Sequence, residues 1–470
     1  MKTNKNKAFR SRKKIAIQLF KFGLLIFLLG YNRPILAQQK ISLKQAIQMA
    51  IENNPGIKAK QSQIKQAQAK NKQVKSSFLP QVNVLSKYFY ANNLPNFYPL
   101  LGKPIPIMGQ NGPTGEQVIL HPMAPYPDLS RDVLTMDLNT IYPIYTGHKR
   151  ENALKLTEQL QKAYAKNMDD SKASLSYKVK QAYYNYLMLN AVIKVYEDVL
   201  KQLNDHLKLA KEAYKEGVRS EFDIVNFESK IEEFKAKIID FKGKKAVVWT
   251  ALSRLIGLPD GQKAEFEGDI NQFFQVENTQ YLAINKLYNG NHKLAFLSSM
   301  QKVLDYKIEM QKAAKLPVVF AFGNYHIYHG KDFPPFDKTW RNGYAVGVGL
   351  KMTIFDGNKS KYQVDEIRAK QEELENYKDG LKLKLDIDYQ KTKEAINSLL
   401  AQKKAHQTHL KVAEKAYEIA QTAYKNGVIT NIELNGAHLQ VSKIKVQILN
   451  IEKQILTQKA YLKYLAGQIF

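Results

Sequence analysis

The sequence contains the same unit twice. A shift of 210 positions, with no gap, lays Ala213-Tyr214-Lys215-Glu216-Gly217-Val218 on Ala423-Tyr424-Lys425-Asn426-Gly427-Val428. The same shift superposes Ile144-Tyr145-Thr146-Gly147-His148-Lys149 on Ile354-Phe355-Asp356-Gly357-Asn358-Lys359, and Leu255-Ile256-Gly257 on Leu465-Ala466-Gly467. Solenoid repeats have periods of roughly 20 to 50 residues, so this period marks the duplication of a half-molecule. Whatever the chain folds into must be one architecture with pseudo-twofold halves.

The first 37 residues read as an export signal. Lys2, Lys5, Lys7, Arg10, Arg12, Lys13 and Lys14 precede an apolar run from Phe22 to Leu29, and Ala37 is a small residue suited to cleavage. That run is shorter than the ~20 apolar residues of a spanning helix, so the expected product leaves the cytoplasm with no helical anchor. The chain has no cysteine, which excludes disulfides, thiolate metal sites and a lipid-modified cysteine. Nine of the basic residues lie in the signal, leaving 62 against 43 acidic ones, or +19, for the remainder. These lysines are spread among Glu, Gln and Asn along helical segments, the pattern of solvated helix faces and not of a nucleic-acid partner.

From His148 to Glu216 there are 69 residues without Gly or Pro, roughly 100 Å of helix at about 1.5 Å per residue. Within it Leu175, Val179, Ala182, Tyr186, Leu189, Ile193, Tyr196, Leu200, Leu203, Leu207, Ala210 and Tyr214 alternate spacings of four and three. Such a heptad seam predicts helices lying side by side in a left-handed supercoil. The second half keeps the register from Leu385 to Tyr424 but admits Thr392, Lys403 and His406, as befits a wall with one wet side. Gly217 and Gly427 stand where a positive φ ends the first helix of a hairpin. Ser220 with Asp223, and Thr430 with Glu433, have the spacing of a capping box at the start of the second.

The other end of each long helix follows a strand pattern. Tyr344, Val346, Val348, Leu350, Met352 and Ile354 alternate with Ala345, Gly347, Gly349, Lys351 and Thr353. Large apolar residues on one face and small or polar ones on the other, over about 9 to 11 residues, mark a transmembrane β-strand. Leu134 to Tyr142 repeats the pattern, and Gln81 to Tyr90 and Val318 to Tyr328, each entered through a proline, are expected to pair with these as hairpins. Trp340, Tyr344, Phe333 and Phe336 suit the aromatic girdle of a membrane interface. Four strands cannot close a barrel, and lipid forbids an open edge, so the barrel must be shared: two chains supply eight strands and three supply twelve.

Together these pieces resemble the TolC family of outer-membrane efflux ducts over essentially the whole mature chain. The matching residues are Ser42-Leu43-Lys44-Gln45-Ala46-Ile47 through Asn53-Asn54-Pro55, Phe78-Leu79-Pro80, Tyr142-Pro143-Ile144-Tyr145-Thr146-Gly147, and the two hairpin tips. The resemblance implies a mainly α fold with a transmembrane β part: a homotrimer sharing a 12-stranded barrel in the outer membrane of a Gram-negative bacterium, with a periplasmic α-barrel of helical hairpins. It further implies a periplasmic adaptor (membrane fusion) protein and an inner-membrane pump as partners, and a passive conduit with no enzymatic activity and no cofactor. The domains expected are the signal, a first repeat over 38–257 (β-hairpin 80–145, helical hairpin 147–257), a linker over 258–280 and a second repeat over 281–470 (β-hairpin 317–355, helical hairpin 357–466). A soluble periplasmic coiled-coil adaptor or scaffold is the alternative; it would share the hairpins but has no use for lipid-facing strands.

In the family the hairpin tips form a periplasmic iris held by polar links. Transferred to this chain, the resemblance implies a gate at Tyr214, Gly217, Arg219, Asp223, Tyr424, Gly427 and Glu433. The family's gating arginine falls at Ile429, where it is missing, and Arg219 takes the equivalent place in the first repeat; of the second-repeat acidic positions Glu433 keeps one and Gly436 lacks the other. Asp223 and Glu433 are equally expected as helix caps, and Tyr214 and Tyr424 as the packed ends of the seams. His326 and His329 point to opposite strand faces, and His406 and His409 have no carboxylate one turn away, so neither pair is a metal site. Pro80 to Gly147 spans 67 positions against 40 from Pro317 to Gly357. The surplus around Leu94 to Pro127 is expected in a loop at the cell surface.

Overall fold

Two 67-residue helices begin and end 210 positions apart, at Lys149–Lys215 and Lys359–Lys425. The computed structural model of the chain describes residues 39–91, 104–109, 112–119, 131–259, 264–276, 281, 283–330 and 339–470. The export signal and the girdle candidates Phe333 and Phe336 lie outside them. In chain order the first half carries β1 (Gln39–Ile41), α1 (Leu43–Asn53), α2 (Pro55–Ser76), β2 (Gln81–Ala91), β3 (Pro104–Gly109), β4 (Gly112–Ile119), β5 (Arg131–Tyr145), α3 (Lys149–Lys215) and α4 (Glu221–Ile256). Next come β6 (Ala264–Phe266), α5 (Ile270–Val276), α6 (Ile284–Gly290) and α7 (His292–Lys312). The chain finishes with β7 (Val318–Gly330), β8 (Thr339–Lys351), α8 (Lys359–Lys425) and α9 (Asn431–Leu465).

These elements divide into two compact units, one of Met1–Gln63, Ala163–Leu297 and Tyr377–Phe470, the other of Ile64–Lys162 and Ser298–Asn376. In the first, the α3 seam is buried at Leu175, Val179, Tyr186, Leu189, Ile193, Leu203 and Ala210, and the neighbouring Tyr183, Tyr184 and Leu187 are buried with it. Fully burying an apolar side chain of this size stabilises the fold by about 1.5–3 kcal/mol. The Tyr183 hydroxyl cannot be hidden unpaired. It reaches the backbone carbonyls of Ile41, at 2.9 Å, and Glu267. Those carbonyls flank β1 and β6, which pair in parallel from Gln39↔Ala264 to Ile41↔Phe266. The segment read from sequence as a linker therefore carries β6 and α5, and Phe266 and Ile270 enter the core. Three residues pairing across more than 200 positions leave no periodicity to read.

In the second unit β2, β5, β7 and β8 form one antiparallel sheet in that order. The strand expected to run to Ile354 ends at Lys351 and starts earlier, at Thr339. The long first loop is not featureless: β3 and β4 pair within it as a small antiparallel hairpin. Each sheet-to-helix passage is a double left-handed turn, Gly147-His148 in the first half and Gly357-Asn358 in the second, all four with φ between 63° and 65°. At Gly147 a Cβ would stand 2.7 Å from Leu316 Cβ and 3.1 Å from the Ala313 carbonyl, so both the dihedral and the space demand glycine.

Candidate functional site

At the two hairpin tips the long helices stop in the same way. Gly217 and Gly427 take φ of 73° and 75°. Val218 N–H then donates to the Ala213 carbonyl, and Val428 N–H to Ala423, both at 2.9 Å, which satisfies carbonyls that the helix end would otherwise leave open. The second helices start differently. Thr430 and Glu433 form the expected capping box, with Thr430 N–H donating to Glu433 Oε2 at 2.8 Å, and these bonds hold the Glu433 carboxyl below its ordinary pKa. Ser220 makes no such bond, so the capping box expected there is absent. Asp223 is instead buried against the second hairpin, where Asn431 Nδ2 donates to its backbone carbonyl at 3.2 Å.

Arg219 joins the tips. Its guanidinium lies 4.2 Å from the centre of the Tyr424 ring and donates to the carbonyls of Tyr424 and Ile429. Arg219 and Ile429 are equivalent positions of the two repeats, so the arginine of one tip reaches the place where the other lacks it. Tyr424 is buried, packs edge-on against Phe227, and burial raises its pKa first of all. Tyr214, its equivalent, is 45 % exposed and does not join this cluster. The structure thus gathers Arg219, Asp223 and Tyr424 around Asn226, Phe227 and Asn431, three residues that the sequence did not single out. Nothing in their spacing points to a tip function, because they meet only across two hairpins. Val218, Phe222, Val428 and Ile432 remain exposed there.

Behind the tip lies a polar group built on two buried histidines: His206 Nε2 meets the half-buried Tyr417 Oη at 3.1 Å, Tyr417 donates to the exposed Gln202 at 3.0 Å, and Tyr417 stacks on His438. Burial depresses the pKa of both histidines, that of His438 to about 4. The neighbouring Asn435 is buried with neither end of its amide hydrogen-bonded.

The sheet is two-faced. Val82, Val84, Leu138, Tyr344, Val346 and Leu350 share one face by register and are exposed, Tyr344 by 81 %. The other face carries Asn83, Lys87, Asp137, Asn139, Asn324, His326, Arg341 and Lys351. His326 Nδ1 lies 2.6 Å from Asp137 Oδ1, and Asn324 donates to Asn139. On the apolar face His329 stacks on Trp340, so His326 and His329 do lie on opposite sides. Among the described residues no cluster of three His, Asp or Glu is placed to hold a metal, and no helix is long and apolar enough to cross a membrane.

The model of the outer membrane efflux protein family matches residues 46–258 and 283–468. The fold is similar to that of CusC, a transmembrane channel, at 15 % identity and a TM-score of 0.71, over 91 % of this chain and 92 % of the other. It is also similar to the outer membrane protein VceC of Vibrio cholerae, at 16 % identity and a TM-score of 0.69, over 91 % and 97 % of the two chains. The outer membrane channel CmeC of Campylobacter jejuni aligns at 17 % identity and a TM-score of 0.66, over 91 % and 86 %. No curated protein sequence matches significantly.

Proposed function

This chain belongs to the outer membrane efflux protein family, and we propose that three copies build one passive duct in which twelve strands close a shared barrel and the helical hairpins form a periplasmic tube. The observation that carries this reading is the sheet β2-β5-β7-β8, whose outer strands have no further partner among the described residues while one face is apolar and exposed. Lipid tolerates neither an open edge nor unpaired backbone groups. Pairing of β2 with β8 of a neighbouring copy removes both, and three copies give twelve strands.

In this reading the two repeats, 38–257 and 281–470, each contribute one β-hairpin and one helical hairpin. The tips meet a periplasmic adaptor, for which the exposed Val218, Phe222, Val428 and Ile432 supply apolar surface, and an inner-membrane pump supplies the energy. Tyr214, Gly217, Arg219, Asp223, Tyr424, Gly427 and Glu433 surround the regulated constriction. The loop bearing β3 and β4 faces the cell exterior, so a cysteine replacing Gly112 is expected to react with an impermeant reagent on intact cells. The decisive experiment is the native mass of the detergent-purified protein. A trimer is expected; a monodisperse monomer that still resists carbonate extraction from membranes would exclude the shared barrel.

A further inference from the structure

We propose that the barrel selects for organic anions with an apolar body, and that Lys87, Arg341 and Lys351 set this selectivity. The proposal rests on the shared-barrel reading above. Because side chains alternate across a pleat, the strand registers assign every sheet residue to one of two faces. Among the residues whose side chains are described, the apolar face bears no Lys, Arg, Asp or Glu. The opposite face, which becomes the lumen, bears Lys87, Arg341, Lys351 and Asp137. Among the described side chains this face thus holds three cations and one carboxylate, the latter 2.6 Å from His326.

The cations occupy two levels. Lys87 pairs with Thr135, Thr135 with Tyr328 and Tyr328 with Arg341, so Lys87 and Arg341 share one cross-strand layer on the two outer strands. These are the strands that meet at each seam of the shared barrel. Lys351 lies ten residues further along β8, about 33 Å away at 3.3 Å per residue. Three chains turn each level into a ring of positive charge. A low-dielectric wall focuses the field of such rings, and rings of Lys and Arg are what anion pores use.

The lumen also offers flat apolar surface beside the Lys351 level. Phe320 and Phe322 lie across Gly349 and Gly347 of the neighbouring strand, where an added Cβ would meet the rings at 2.5 and 2.9 Å. The glycines let the rings lie down along the wall. A passing solute therefore meets a cation and then aromatic faces, an order that suits a sulfonate, carboxylate or phosphate attached to an aromatic or aliphatic body.

The test is the reversal potential of the full-length protein in a planar bilayer under a potassium chloride gradient, and again with benzenesulfonate replacing chloride. Anion preference is expected in both salts, with benzenesulfonate carrying current. The variant K87Q/R341Q/K351Q should lower the anion-to-potassium permeability ratio several-fold, whereas K87R/K351R, which keeps the charge, should hold it. Cation preference in the parent, or an unchanged ratio in the neutralised variant that still forms trimeric channels, overturns the proposal. A parent that forms no channels and runs as a monomer removes the shared barrel itself, and the selectivity with it.

Discussion

Tyr417 and His438 stack face to face, with ring centroids 4.6 Å apart and planes within 10° of parallel. The stack joins α8 to α9 beneath the hairpin tips, where the protonated form of His438 is disfavoured. Burial is the main cause, and the nearby His206 and Lys445 add to it, lowering its pKa from 6.5 to about 4. Between these values the unfolded chain binds a proton that the folded chain refuses. Stability is therefore whole above about pH 6.5, declines as the pH falls, and levels off below about 4. The slope for one histidine is at most about 1.4 kcal/mol per pH unit. Urea midpoints at pH 7.5 and 5.0 should differ, and H438F should show a smaller difference; equal differences in both proteins would remove His438 as the cause.

The Arg219 link between the tips should govern conductance. A cation–π contact that is partly desolvated contributes about 0.5–2 kcal/mol, and exposed ionic contacts about 0–1 kcal/mol. A constriction held by such terms is easily biased. R219A/D223A is expected to raise single-channel conductance, while Lys351→Ala should change total conductance much less. A double variant that conducts like the parent as a folded trimer would reduce Arg219 and Asp223 to packing.

The two caps should behave unequally despite their equivalent sequence positions. Thr430→Ala removes the hydroxyl that donates to Glu433 Oε2 and accepts from the Glu433 N–H, and should cost about 1 kcal/mol. Ser220→Ala removes no cap bond and should be nearly neutral. Hydrogen exchange in the first turns of α4 and α9 reads both, and equal effects would contradict the geometry.

Lys403 and Glu452 form a buried ion pair at 2.7 Å, with the Lys403 ammonium 3.3 Å from the centre of the Phe274 ring. Removing one partner strands the other charge, which typically costs about 3–5 kcal/mol, whereas an apolar pair of similar volume can be neutral. Lys403→Met alone should lower the melting temperature strongly, and K403M/E452L should recover most of it. Failure of the second change to recover stability would mean that Lys403 acts mainly through Phe274.

Much of this molecule is local and was therefore legible. The 210-residue period, the 148–216 stretch without Gly or Pro, the left-handed glycines at 217 and 427 and the period-2 alternation of β8 each depend on covalent neighbours alone. So did the strand faces, since the pleat assigns a side to every residue once one strand is oriented. The Thr430 cap followed from spacing and was found; the identical Ser220–Asp223 spacing was not honoured, because Asp223 is drawn between the hairpins. Likewise Tyr214 and Tyr424 are indistinguishable in the seam pattern, yet one is exposed and the other buried beneath Arg219. The parallel pairing of β1 with β6, the reach of Arg219 to Ile429 and the Tyr417–His438 stack belong wholly to the tertiary structure. One residue of helix turns a side chain by about 100°, so which equivalent residue meets its neighbour depends on the rotation and register of packed hairpins, and no local pattern carries that information.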